Sequence, residues 1–301
     1  MMRKMNTREI ASWTLIDGVL MFLPFITTLV SERSSIISYY DQGPEKGLKY
    51  FKVSSALTAI ISIILILIWS PIQLYLDSKY IFTSLITILT GMLIGLYNIQ
   101  FQKNLILEKY SKVFKMHVYR CFGILFSVII LVHLKINNLH IIPIALMVGS
   151  LISVRIFRIF EFDFDLNEIK FLIKMSFTPL ILIIIAYLLT NLSRLFLSFH
   201  GKEEDLVILL IYVKSGALIS FVLMPYANFL KPQILKEYKK NRIFIPFYWK
   251  NLATFGLFIS ISGISSFGIL WNIWGLELVS PDFFIFSILI AGVYISWFFI
   301  Y

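Results

Sequence analysis

Charge is scarce in this 301-residue sequence: Asp, Glu, Lys and Arg make up 15% of it, against about 25% in soluble domains. Apolar residues reach 58%, where soluble chains hold about 45–50%. A soluble domain of this length has no interior large enough for them, so a water-soluble fold is excluded. Cysteine is almost absent. Cys121 stands alone, which rules out an intrachain disulfide. The four histidines, His117, His133, His140 and His200, are scattered, with no H-E-x-x-H pair and no cysteine at ligand spacing. The sequence also lacks a P-loop, a G-x-S-x-G elbow and a dinucleotide-binding glycine pattern. With these missing, the expectation is a protein that is no enzyme and carries no cofactor or metal. The opening MMRKMNTREIASWTL has no A-x-A cleavage site after it, Asp17 interrupts its apolar run and Pro24 bends it. It reads as a retained helix, not a cleaved leader.

What is present is length in apolar runs. Windows of about 20 residues mark nine candidate spans, over 12–31, 53–75, 80–101, 113–134, 139–158, 170–192, 206–229, 247–270 and 282–301. Mean hydropathy is +0.84. A backbone exposed to lipid must satisfy its own hydrogen bonds, so such runs are helices. The expected fold is all-α, a polytopic transmembrane bundle of about nine spans. Phenylalanine dominates a 16% aromatic content, as suits lipid-facing and interfacial positions.

The formal charge of +10 points to nucleic acid only in a soluble protein. Here the basic residues gather in alternate loops. Segments 31–52, 102–120, 155–174 and 231–250 carry four, five, four and six Lys or Arg. The intervening loops hold only Lys79, Lys135, Arg194 and Lys202. The positive-inside rule then puts the first set in the cytoplasm of a multi-pass plasma-membrane protein. Arg3, Lys4 and Arg8 fall on the wrong side in that scheme. Two basic stretches, 103–120 and 231–242, read either as amphipathic contacts to anionic membrane lipids or as plain helix extensions.

Few charges enter the spans. Lys214 lies eight residues into LVILLIYVKSGALISFVLMP, roughly 12 Å deep at about 1.5 Å per residue. A charge at mid-bilayer costs about 2.5–3.5 kcal/mol on insertion scales. Either Lys214 faces a polar pathway, as a cation for an anionic substrate, or it pairs with a carboxylate. Asp17 is the only carboxylate within a span and a candidate carrier of a coupling ion, with a wet helix end as the alternative. Arg120, Arg155 and Arg158 sit at inner span ends, where they capture an anionic lipid head or merely obey the charge rule. Arg194 at an outer end steers an acidic sugar or anchors the interface. Pro24, Pro179 and Pro225 bend spans. Gly91 and Gly95 form a small-xxx-small packing face. Asp165 and Glu168 form a D-x-x-E helix start, a cap more than a metal site.

Residues 164–220, from FDLNEIKFL to KSGALIS, resemble the oligosaccharide flippases of the multidrug/oligosaccharidyl-lipid/polysaccharide exporter superfamily, which export O-antigen and teichoic acid. The matching residues are Phe164, Asp165, Leu166, Lys174, Ser176, Pro179, Asn191, Arg194 and Lys214. Ser193 and Val213 depart from the family's acidic residue and tyrosine. Residues 15–42 are similar to the family's second helix, so the resemblance implies a chain that starts there, without the first helix and the last ones. It implies two bundles around a central cavity, 1–160 with five spans and 161–301 with four. It further implies translocation of a polyprenyl-pyrophosphate-linked oligosaccharide, bound by Lys214, Arg194, Asn191, Arg120 and Arg155. The pathway's glycan polymerase and glycosyltransferases would be partners. A membrane enzyme of envelope glycan assembly, a drug or cation antiporter and an inert truncated flippase stay open as alternatives.

Overall fold

The structure, a computed structural model, describes residues 7–76, 81–136, 138–156 and 161–200. These residues form α1 (Thr7–Thr28), α2 (Ser31–Asp41), α3 (Pro44–Leu76), α4 (Ile81–Ile106), α5 (Tyr110–His133), α6 (Asn138–Ile156) and α7 (Leu166–His200). No strand occurs among the described residues. The chain divides into two compact units, Met1–Asn191 and Leu192–Tyr301. The interactions below belong to the first.

Among the described residues three helices are long and apolar enough to cross a membrane: Pro44–Tyr75, Ile81–Ile106 and Tyr110–His133. The pair Ile16–Thr28 and Ser31–Asp41, bent by 44°, adds a fourth if counted as one span. The stretch His140–Val154 is a shorter apolar helix. The expected spans over 206–229, 247–270 and 282–301 lie outside the described residues. Helix α3 begins at Pro44, well before the apolar window at 53, because its first turns leave the apolar layer while the helix continues.

Several hydroxyls inside the unit are satisfied within their own helix. On α3 the hydroxyls of Ser55, Thr58 and Ser62 each donate to the carbonyl four residues earlier, at 2.7–3.1 Å. Thr87 and Thr90 on α4 do the same. This hides the hydroxyls against their own backbones, and Thr90 Oγ1 also reaches the Pro143 carbonyl of α6 at 3.0 Å. Gly91 and Gly95 let α1 approach α4 closely. A Cβ at Gly91 would lie 2.5 Å from Leu23 Cδ2, and one at Gly95 2.8 Å from Thr28 Cγ2. Gly123 and Gly149 play the same part where α5 crosses α6, since a Cβ at Gly123 would stand 2.9 Å from Gly149 Cα. The opposite face of α5 carries Phe114, Phe122, Phe126 and Ile129, all exposed.

One stretch differs from its sequence reading, and another settles between two. Residues 31–41, expected within a loop, form α2. Ser31, Ser34, Ser35 and Ser38 recur at helical spacing and are buried. Ser34 and Ser176 share a hydroxyl bond of 2.8 Å, and Ser35 and Ser54 one of 2.9 Å. Residues 103–120 follow the second of their two readings, as helix extensions. They hold the end of α4, a turn with Glu108 at φ 56°, and the first turns of α5.

The basic segments meet at one end of the unit. Lys49 Nζ donates to Asp165 Oδ2 at 2.8 Å and to Glu168 Oε1 at 3.1 Å. Lys103 and Lys52 reach Glu161 Oε2 at 3.0 and 3.5 Å. Asp165 Oδ1 also accepts the backbone N–H groups of Asn167 and Glu168 at 3.1 and 3.4 Å, so the D-x-x-E start is a helix cap. The resemblance assigns 161–301, and with it the start of α7, to its second bundle. In the structure Ile169 and Leu172 of α7 pack on Tyr50, Val53 and Leu57 of α3.

Reporter fusions at residues 45, 110 and 163 are therefore expected to report one side of the membrane, the cytoplasmic one by the charge rule. A split result would refute the arrangement of these ends. The same cluster has a pH signature. The hydrogen bond from Lys103, with Lys52 nearby, holds the Glu161 carboxyl below its ordinary value. The Lys49 bond and the α7 cap do so for Asp165. A depressed carboxylate contributes stability that is complete above its unfolded-state pKa and lost as pH falls through the folded one. Melting of the solubilised protein should then drop below about pH 4, and less steeply in Lys103→Gln. Identical acid profiles for both proteins would contradict the assignment.

Candidate functional site

The most unusual charge among the described spans is Arg120, ten residues into α5. Its guanidinium carbon stands 4.3 Å from the centre of the Tyr97 ring on α4. Tyr97 is 1% exposed, and its hydroxyl shares a 2.6 Å hydrogen bond with His117 Nδ1. Phe101 stacks beside them, 4.8 Å from the His117 ring and 6.2 Å from that of Tyr97. A cation over an aromatic face is attracted by the ring quadrupole, by about 0.5–2 kcal/mol depending on desolvation.

The spacing of the chain builds this site. His117 and Arg120 are three apart on α5, and Tyr97 and Phe101 four apart on α4, so each pair shares a face. Below them Leu105, Val113, Met116 and Val154 form an apolar floor. Asn104 Nδ2 donates to the Gln100 carbonyl at 2.8 Å, and Ser153 Oγ to that of Met116 at 3.0 Å. The floor is thus dry and fixed. Arg120 itself is half-buried. Its Nε is buried and makes no hydrogen bond, and no carboxylate forms an ion pair with it among the described residues. The arrangement presents a cation held against the ring and hydroxyl of Tyr97, with no carboxylate paired to it among the described residues. Chemically that is a receptor for an anion.

The other sequence candidates fall at different places. Asp17 lies ten residues into α1 and is 7% exposed, so it is a buried carboxylate and no wet helix end. Asn191 on α7 turns its amide to its own helix, donating to the Tyr187 carbonyl at 3.0 Å. Arg155 is on α6 and Arg194 on α7, and their side chains lie outside the described residues, as do Arg158 and Lys214 altogether. Among the described residues the structure brings none of these candidates into contact with Arg120. No group of three or more His, Cys, Asp or Glu is placed to hold a metal ion among the described residues.

Sequence reasoning missed Tyr97 and His117 as companions of Arg120, and it missed Glu32. Glu32 is the second residue of α2 and is 8% exposed, with its Oε2 buried and unbonded. The serine spacing around it was the available signal. Two consecutive non-glycine residues in left-handed conformation precede it, Leu29 at φ 47° and Val30 at φ 59°. For a β-branched valine this is an outlier, costing about 1–3 kcal/mol. It is held by burial of Val30 and by a 3.1 Å bond from its N–H to Thr28 Oγ1.

No protein-family model matches the chain, and no curated protein or solved structure matches it either.

Tyr97→Phe keeps the ring under Arg120 and removes one hydrogen bond, so it should cost about 0.5–1.5 kcal/mol. Tyr97→Ala removes the platform and should cost about 3–5 kcal/mol. Denaturant unfolding in detergent micelles measures both. Equal costs would mean that the ring contributes nothing.

Proposed function

We propose that the protein is a multi-pass carrier of the flippase type, a two-bundle helical fold of about nine spans in the plasma membrane. It moves a polyprenyl-pyrophosphate-linked oligosaccharide between the leaflets for surface polysaccharide assembly. One observation carries this reading: Arg120 is an arginine in an apolar span, and its charge faces an aromatic ring and no carboxylate among the described residues. A polar or charged residue in a span is expensive and marks a pathway by default. A pyrophosphate supplies two or more negative charges, and a guanidinium matches its oxygens in forked geometry. The aromatic and imidazole groups beside it, Tyr97, Phe101 and His117, suit the sugar that follows the phosphate.

The sequence supports the same reading at Lys214, a second cation without a carboxylate in its own span. Asp17, buried in α1, is the proposed carrier of a coupling ion.

Complementation of a flippase-deficient strain tests the proposal. Wild type restores surface glycan. Arg120→Ala and Lys214→Ala each lose more than about tenfold, since removing a buried charge contact costs about 2–5 kcal/mol. Arg120→Lys and Lys214→Arg retain export. Protein levels are compared by immunoblot. Full export by both alanine variants would defeat the charge argument, and no restoration by the wild type would defeat the transport reading itself.

A further inference from the structure

The break between α1 and α2 holds chemistry that glycan binding does not use. Between α1 and α2, an apolar pair that is either a broken span or a re-entrant loop, the chain leaves helical geometry at Leu29 and Val30, both left-handed, and restarts at Ser31 with a bend of 44°. Broken membrane helices expose helix ends to the protein interior, where carbonyls at the end of the first half attract cations. Immediately after this break stand Ser31, fully buried, and Glu32, 8% exposed. Ser31 Oγ and Glu32 Oε2 are both buried and both without a hydrogen-bond partner. No Lys, Arg or His forms an ion pair with Glu32 among the described residues.

A carboxylate out of water needs compensation. The start of α2 offers the equivalent of about half a positive charge, which falls short of a full negative one. A bound cation supplies the remainder at Oε2, the oxygen that is buried and unbonded. A proton is the smaller answer, but it turns Oε2 into a donor that still has no acceptor and leaves Ser31 Oγ bare. A metal cation satisfies carboxylate and hydroxyl oxygens together. A hard monovalent ion suits such a donor set better than a transition metal, because the donors are oxygens only. The hydroxyls around the break also keep it in place: Thr27 Oγ1 donates to the Pro24 carbonyl at 3.1 Å and contacts the Gly91 carbonyl at 3.3 Å.

We infer that the α1–α2 break binds a sodium ion, with the Glu32 carboxylate and the Ser31 hydroxyl as ligands. This site is separate from Asp17 and from Arg120, and its test needs no transport.

Purified full-length protein in detergent is equilibrated with radioactive sodium, and its melting is compared in sodium chloride and choline chloride at equal ionic strength. Wild type binds sodium saturably and melts higher in sodium. Glu32→Gln, nearly the same in shape, loses more than about tenfold in sodium affinity and loses the melting difference, because ligand charge sets cation affinity. Ser31→Ala weakens binding. Glu45→Gln, exposed at the start of α3, leaves it unchanged. If Glu32→Gln does not fold, Ser31→Ala and the sodium-against-choline shift of the wild type decide. The inference is overturned by a wild type with no saturable sodium binding, by Glu32→Gln that binds as wild type does, or by a protein that takes up a proton on acidification yet ignores sodium.

Discussion

In the hydrocarbon layer no water stands by to complete a hydrogen bond, and each polar group left open there costs several kcal/mol. That constraint organises the first unit of this protein. It makes every described element helical. It turns the hydroxyls of α3 and α4 back onto their own backbones. It pairs the serines of α2 with Ser54 and Ser176. Close packing does the rest: without a hydrophobic force between helices, contact depends on small residues that let backbones approach, and Gly91, Gly95, Gly123 and Gly149 provide it.

Against that background the exceptions gain meaning. Most polar groups in the unit are satisfied within a turn of their own position. Arg120 rests on a ring, and Glu32 and Ser31 keep unbonded oxygens in the interior. These are among the places where a buried polar group goes without a hydrogen-bond partner. The left-handed pair Leu29 and Val30 is a further exception, and it lies directly beside Glu32. Strained backbone and unsatisfied polar atoms coincide at this one break, and the Arg120 cluster stands apart from it on α4 and α5.

Much of the helical layout was legible because apolar length is a direct record of the membrane. The windows at 53–75, 80–101 and 113–134 overlie α3, α4 and α5. Helix ends were less legible, since α3 runs on past the apolar layer to Pro44, where hydropathy carries no signal. Helix α2 was missed for a related reason. Its buried stripe is made of serine, so a search for apolar periodicity passes over it, although 31, 34, 35 and 38 have the spacing of one helical face. Arg120 was visible as a charge near a span end, but Tyr97 lies on another helix, and no spacing rule joins residues across a helix pair. For Asp17, position in a run implied a helix end, whereas depth depends on what packs around it. Lys214 and the flippase architecture stand on the sequence alone.

Helix α5 shows how unevenly such a structure can drift over generations. Its outer side, with Phe114, Phe122, Phe126 and Ile129, touches no close-fitting partner within the unit, and any greasy side chain there preserves solubility in lipid. Half a turn away, Gly123 meets the backbone of Gly149, and nothing larger than hydrogen fits between them. Random substitution will therefore scramble one edge of this helix and spare the other, leaving a periodic scar that descendants carry even after their overall likeness has faded.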